Sequence, residues 1–422
     1  MQEELINHIA KCSGCGKCIA VCPIYHVTKQ EASVARGRNK VLGYALAGKI
    51  PFDQELSEIM YECLLCGRCE EHCSVSVPTP EIIRLARKSY ARKQAPLLQK
   101  FVFKHFLPHK GRLKLTNRML RLYQDTGVRY LLKKTGLLSV LGPLGQAEDI
   151  LPRITATFRD KEAALIPNPA EYRIKIGYFL GCGTNLLKAA QGVAAVNTLR
   201  QMGCRVDVPD ASCCGLPALT YGQSDVTQDM AKSNLDLFLQ SGYDYIVSDC
   251  ASCSSMLTDY PHLFGETDPY HAKAAQLAAR VLDYSQVVLK LGGDSKAVRQ
   301  RTVTYHVPCH LARGLKAGQE PKTLLQNIEG LQYVELPEAD VCCGAAGSYF
   351  VTHPELAKAV LRRKMENIRS TGADIVVSSC PMCLMQLEHG ARLSNVPVEV
   401  KHLAELLAEG TVCCQQAAGD SK

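Results

Sequence analysis

Of the 21 cysteines in this 422-residue chain, eight lie in two short runs and ten in two matched sets of five. The runs are Cys12, Cys15, Cys18 and Cys22, and Cys63, Cys66, Cys69 and Cys73; both read Cys-x2-Cys-x2-Cys-x3-Cys. The sets are Cys182, Cys213, Cys214, Cys250 and Cys253, and Cys309, Cys342, Cys343, Cys380 and Cys383. Residues 1–9 lack an apolar stretch after a basic start, so they do not read as a secretory signal. A disulfide-stapled secreted protein is therefore not expected, and thiols at fixed spacing point to metal binding in a reducing, cytoplasmic setting. A composition 46% hydrophobic and 21% charged excludes a wholly disordered chain.

The first two runs carry the most specific signal. Two-residue spacers let a loop curl around one corner of a 4Fe–4S cubane, while the fourth cysteine, three residues on, opens a helix and serves the other cluster. One cubane is thus expected on Cys12, Cys15, Cys18 and Cys73, the other on Cys63, Cys66, Cys69 and Cys22. Zinc ribbons need a longer gap between ligand pairs. Pro23 follows the first run; Ser74 stands at the matching place in the second.

From Tyr172 the chain repeats itself. Apolar runs 174–181 and 303–308 lead to Cys182 and Cys309, Cys-Cys-Gly follows in each copy, and runs 243–249 and 374–379 lead to Cys250 and Cys380. Equivalent cysteines are offset by 127, 129, 129, 130 and 130 residues, so one unit has been duplicated. Strand-like runs alternate with helical stretches 186–202, 230–241 and 356–370, which predicts parallel sheets with the cysteines past the strands' C-terminal ends. Five thiolates exceed the four that zinc or a cubane needs, and suit a larger or opened iron–sulfur assembly; a redox disulfide, or zinc on four of the five, are the alternatives. Glycine after each Cys-Cys pair lets the backbone turn against a metal.

The expected class is α+β: an N-terminal α-helical two-cluster ferredoxin domain (1–96), a basic helical linker (97–170), two duplicated α/β cysteine-rich domains (171–298 and 299–408) and a flexible tail (409–422). Residues 36–48 and a stretch from Thr79-Pro80 onward read as helices. Residues 92–134 carry twelve Lys or Arg against one acid, Asp125, interleaved with apolar residues. This reads either as a solvated face or as a docking surface for an anionic membrane or an acidic subunit, with no nucleic-acid motif beside it. No apolar run is long enough to span a bilayer. The Gly43 to Ile50 stretch mimics a phosphate loop but puts Ile50 where Ser or Thr would bind magnesium, and no G-x-G-x-x-G occurs. Cys204, Cys413 and Cys414 have no repeat partner. His306 and His310 stand within reach of a cluster near Cys309, although a histidine after a strand more commonly plays a structural part.

The order of two ferredoxin-type runs, basic linker and two Cys…Cys-Cys-Gly…Cys-x-x-Cys copies resembles the iron–sulfur subunit of glycolate oxidase over nearly the whole chain. Ala35-Arg36-Gly37-Arg38, Tyr305-His306-Val307-Pro308-Cys309-His310 and Cys342-Cys343-Gly344-Ala345-Ala346-Gly347 carry the likeness. The arrangement is also similar to the iron–sulfur subunit of anaerobic glycerol-3-phosphate dehydrogenase, and its duplicated half to the catalytic subunit of heterodisulfide reductase. The resemblance implies two cubanes plus one or two noncubane 4Fe–4S clusters on the five-cysteine sets, with zinc as the alternative in one. It further implies an electron-transfer subunit with no catalytic residues of its own, receiving electrons from an FAD-containing dehydrogenase that oxidises a 2-hydroxy acid. Quinone or an electron-transfer flavoprotein would accept them, with peripheral contact to the inner face of the cell membrane through the linker. The alternative functions are a heterodisulfide-type disulfide reductase and the iron–sulfur or anchor subunit of an anaerobic glycerol-3-phosphate dehydrogenase.

Overall fold

Two strands in each repeat, apolar where they pair with each other, build the centre of a sheet. In the computed structural model, which describes residues 2–94, 97–135, 145, 148 and 150–414, β1 (Lys175–Tyr178) lies between β2 (Arg205–Asp207) and β3 (Tyr245–Ser248), and β4 (Val281–Asp283) closes the far edge. All three pairings are parallel. The second sheet repeats the order with β6 (Glu329–Tyr333), β5 (Gly293–Tyr305), β7 (Ile375–Ser378) and β8 (Glu399–His402), again parallel. Ile176 pairs with Tyr245 and Val303 with Ile375, so the offset of the cysteines is also the offset of the strand register. Parallel strands need long crossovers, and helices Ala189–Gln201, Ser224–Leu239 and Pro354–Thr371 supply them.

The two copies are fused. One apolar core runs from Phe158 and Ile176 through Val303 to Leu407, and helix Leu403–Glu409 of the second copy packs on helix Ala189–Gln201 of the first. Three expectations are corrected here. The division at 298/299 falls inside β5, because that strand continues back to Gly293 and is paired there. Thr411–Cys414, read as tail, forms β9 antiparallel to Gly293–Lys296, β-prone residues meeting the overhang that β5 leaves beyond its parallel partners. The helix expected over 186–202 breaks at Lys188, whose φ and ψ of −132° and 46° are not helical.

The N-terminal part is helical, as expected. Helix Ala35–Leu46 lies between the two cysteine runs, and helix Thr79–Gln94 places Pro80 in its first turn, where no intrahelical N–H is lost. Leu5, Leu42, Leu56, Met60, Ile82 and Ile83 form its core. Gly43 sits inside helix Ala35–Leu46, so the first half of the phosphate-loop lookalike is helix and only 47–50 form a turn. Linker helices Leu97–His105, Lys110–Asp125 and Val128–Lys134 follow. Among the described residues, no helix is long and apolar enough to cross a membrane.

Candidate metal centres

The two N-terminal runs adopt the same loop. Gly14 and Gly16 in the first and Leu65 and Gly67 in the second all have positive φ, 73°, 83°, 54° and 73°. Left-handed residues on either side of Cys15 and Cys66 curl each loop; Leu65 holds this conformation despite its Cβ. Cys12, Cys15, Cys18 and Cys73 line one cavity, and Cys69 of the other group reaches its wall. Cys22 lies in the electrostatic field of Cys63, and Cys69 in those of Cys63, Cys66 and Cys22. Cys73 thus shares a cavity with the first run, and Cys22 lies in the field of the second.

Ala35-Arg36-Gly37-Arg38 braces both loops. The Arg36 guanidinium donates to Gly14 O at 3.0 Å, and Arg38, buried beside Cys22, donates to Ile59 O at 2.8 Å. Gly37 is obligatory: a Cβ there would lie 1.9 Å from Glu31 O. Arg87, unremarked in the sequence, is buried under the second loop and donates to Cys63 O, Met60 O and Tyr61 O. Its positive charge faces Cys63, where thiolates would gather.

Each five-cysteine set converges at the C-terminal end of its sheet. In the first copy sulfur contacts run from Cys182 to Cys213, 3.8 Å apart, then to Cys214, Cys253 and Cys250. In the second they run from Cys309 to Cys342, Cys343, Cys383 and Cys380. The two copies meet: Cys250 touches Cys380, and Ser252 Oγ lies 3.5 Å from Cys380 Sγ. At the other end Cys66 of the N-terminal half faces Cys342 and Cys309. The sulfur groups therefore follow one another from the second N-terminal loop, through the second copy, to the first.

Gly215 and Gly344, after the Cys-Cys pairs, take φ of 91° and 87°, as the tight turn requires, and the Gly344 N–H points at Cys342 Sγ from 3.4 Å. The adjoining sulfur, and after it burial, pushes the Cys182, Cys253, Cys309 and Cys383 thiols up. Ten packed sulfurs cannot all ionise without a compensating cation, which is the condition a metal site fulfils. The nineteen cysteines from Cys12 to Cys383 carry no disulfide.

Several residues around these centres escaped sequence reading. Asp249, buried beside Cys250, accepts from Thr184 Oγ1 at 2.9 Å and Gln191 Nε2 at 2.7 Å. Its repeat equivalent is Ser379, which accepts from Tyr305 OH at 2.9 Å. His402 Nε2 donates to Asp249 O at 2.8 Å. Only the duplication offset, applied to residues other than cysteine, signals them. His310 Nδ1 is 3.0 Å from Ser252 Oγ, and His306, Cys343 and Cys383 bring ligand atoms within 4.8 Å of one another. Cys204 is simply buried in the shared core.

Residues 8–77 match the family described as 4Fe-4S dicluster domain, 94–151 the linker region of the glycolate oxidase iron-sulfur subunit, and 176–258 and 303–388 the Cysteine-rich domain. Among known proteins, the chain is 28% identical to a probable glycolate oxidase iron-sulfur subunit of Bacillus subtilis, covering 97% of this chain and 94% of that one. It is 32% identical to Lactate utilization protein A of an Exiguobacterium species, over 56% of this chain and 97% of that one. The chain belongs to the glycolate oxidase iron–sulfur subunit family. Lactate utilization protein A of Bacillus subtilis is likewise 32% identical, over 56% of this chain and 99% of its own. In the family member described here, the boundary between dicluster domain and linker falls in helix Thr79–Gln94, which also carries Arg87 beneath the second loop.

Proposed function

We propose that this chain is the electron-transfer subunit of a flavin-dependent 2-hydroxy-acid oxidoreductase of the glycolate or lactate type. The observation that carries this reading is the succession of sulfur groups, from exposed Cys15 through Cys69 and Cys66 to Cys342, Cys380 and Cys250. Cys12, Cys15, Cys18 and Cys73, and Cys63, Cys66, Cys69 and Cys22, are assigned to two 4Fe–4S cubanes. The sets on Cys182, Cys213, Cys214, Cys250 and Cys253 and on Cys309, Cys342, Cys343, Cys380 and Cys383 are assigned to metal centres of the noncubane kind. Clusters at these places supply one-electron carriers. The chain's own residues position and screen them: Arg36 and Arg38 brace the loops, Arg87 offsets negative charge, and the shared core keeps water from the inner sulfurs.

A partner flavoprotein would take two electrons and two protons from the hydroxy acid, leaving the 2-oxo acid, and return the electrons singly to this chain. Quinone or an electron-transfer flavoprotein would receive them, in a cytoplasmic complex held at the membrane face. Anaerobically purified chain is expected to hold about eight irons if only the cubanes fill, or about sixteen if all four centres do. It should not oxidise glycolate or lactate alone, and should accept electrons once its flavoprotein is added. Colourless, iron-free protein would overturn the reading. Reduction of a heterodisulfide by the isolated chain with an artificial donor would replace it with the disulfide-reductase alternative.

A further inference from the structure

The two duplicated centres differ in donor chemistry, and one difference is a buried imidazole that faces the sulfurs. His306 directly follows β5 and is fully buried. Its Nδ1 lies 3.2 Å from Ala339 O. A carbonyl only accepts, so that nitrogen carries the proton and Nε2 presents its lone pair. Nε2 finds no hydrogen-bond partner among the described residues. It shares with Cys343 and Cys383 Sγ a cluster in which every donor atom is within 4.8 Å of the others. An imidazole whose Nδ1–H is held by a backbone carbonyl while Nε2 faces thiols is the arrangement that metal-ligating histidines adopt. The same offset that relates Cys182 to Cys309 puts Phe179 at this place in the first copy. Phe179 packs on Phe238 with ring centroids 5.7 Å apart, an apolar contact with nothing to ligate. The fold therefore does not need histidine here.

We propose that His306 Nε2 is a metal ligand of the second centre, acting with Cys343 and Cys383, so that this centre binds its metal through nitrogen and sulfur while the first binds through sulfur alone. Imidazole with thiolates suits iron and zinc alike. The proposal rests on the assignment of a metal to the second centre made above.

The test uses full-length chain, purified anaerobically with ¹⁵N-labelled histidine. If iron is the metal, pulsed EPR of the reduced chain should show a ¹⁵N coupling on one cluster signal. If zinc is, absorption at the zinc edge should show a nitrogen neighbour at about 2.0–2.1 Å beside sulfur. His306→Phe, which installs the residue the first copy tolerates, should abolish either signature and speed loss of that metal to a chelator about ten-fold or more. Intact metal content with neither signature in the wild-type chain would overturn the proposal, and needs no variant to be read. So would a second centre free of metal beside two normal cubane signals, an outcome that leaves the electron-transfer reading standing. Absence of all iron would instead sink that reading.

Discussion

The two duplicated copies share strand order, register and cysteine offsets, yet differ in what surrounds the sulfurs. Beside Cys250 the first copy buries a carboxyl, Asp249, that accepts hydrogen bonds from Thr184 and Gln191; beside Cys380 the second has the hydroxyl of Ser379. The first copy has Phe179 and Gly183 where the second has His306 and His310. Their attachment to the N-terminal half differs too. Arg87 reaches Thr220 O of the first copy at 3.0 Å, while Tyr349 of the second donates to Glu62 O at 2.9 Å and stacks on His353. Duplication preserved the scaffold and the thiols, and let the two environments diverge, so each copy can be perturbed against the other as its internal control.

Asp249→Ala against Ser379→Ala should give the largest contrast. The first removal strands two buried donors, each at about 1–3 kcal/mol, whereas the second strands one, the buried Tyr305 hydroxyl, at a like cost. Thermal unfolding of the two variants should therefore show the Asp249 change costing about twice as much. Equal losses would mean that the carboxyl is not the organising group of the first centre.

Next come the turn glycines. Gly215→Ala and Gly344→Ala both force alanine into a left-handed conformation, at about 1–2 kcal/mol each. Their neighbours differ: a Cβ at Gly344 would sit 2.9 Å from backbone Ala357 O, one at Gly215 2.8 Å from the Thr227 methyl, which can rotate away. Gly344→Ala should accordingly lose more stability and more iron per chain. A reversed order would show that helix Pro354–Thr371 yields more readily than a side chain.

These contrasts also show where the sequence was legible. Cys12 to Cys18 and Cys63 to Cys69 fold as local loops, so spacing alone announces them, while the exchange of Cys22 and Cys73 between clusters belongs to the proposal. Each five-cysteine set is gathered from three strand ends, and its membership followed from the repeat rather than from geometry. Strands β1, β3 and β7 announced themselves as apolar runs, and β5 did so over its C-terminal half. The edge strands β2, β4, β6 and β8 are short, partly polar and set by pairing with their neighbours, which leaves little period to read. Arg87 and Asp249 were invisible for the same reason, since their partners lie far along the chain.

Acid should separate the two attachments. Burial holds the His353 imidazole down at about 4, against an ordinary value of about 6.5. Between those values the unfolded chain binds more protons than the folded one, so stability that is complete above about pH 6.5 is lost as pH falls toward about 4. The Arg87 contact to the first copy does not titrate in this window. Hydrogen exchange should show helix Tyr349–Thr352 loosening before the 216–220 helix, and His353→Phe should flatten the pH dependence. Simultaneous loosening of both would dissolve this part of the contrast.

The smallest effect on the fold is expected from the linker, which leans on the first copy. Asn117 Nδ2 donates to Leu186 O at 2.7 Å, and Lys110 pairs with Asp210 at 3.0 Å; the latter is exposed and worth at most about 1 kcal/mol. On the outer side of helix Lys110–Asp125, Leu115, Met119 and Leu122 are exposed among basic residues. Changing Lys100, Lys104, Arg112 and Arg118 to Gln should leave the unfolding temperature nearly unaltered. The same change should release the complex from vesicles containing anionic lipid, more so at low salt, because screening already weakens exposed charge. Vesicle binding that survives all four substitutions would make this basic face a solvated one, and would leave the exposed apolar row as the part of the linker that meets another protein.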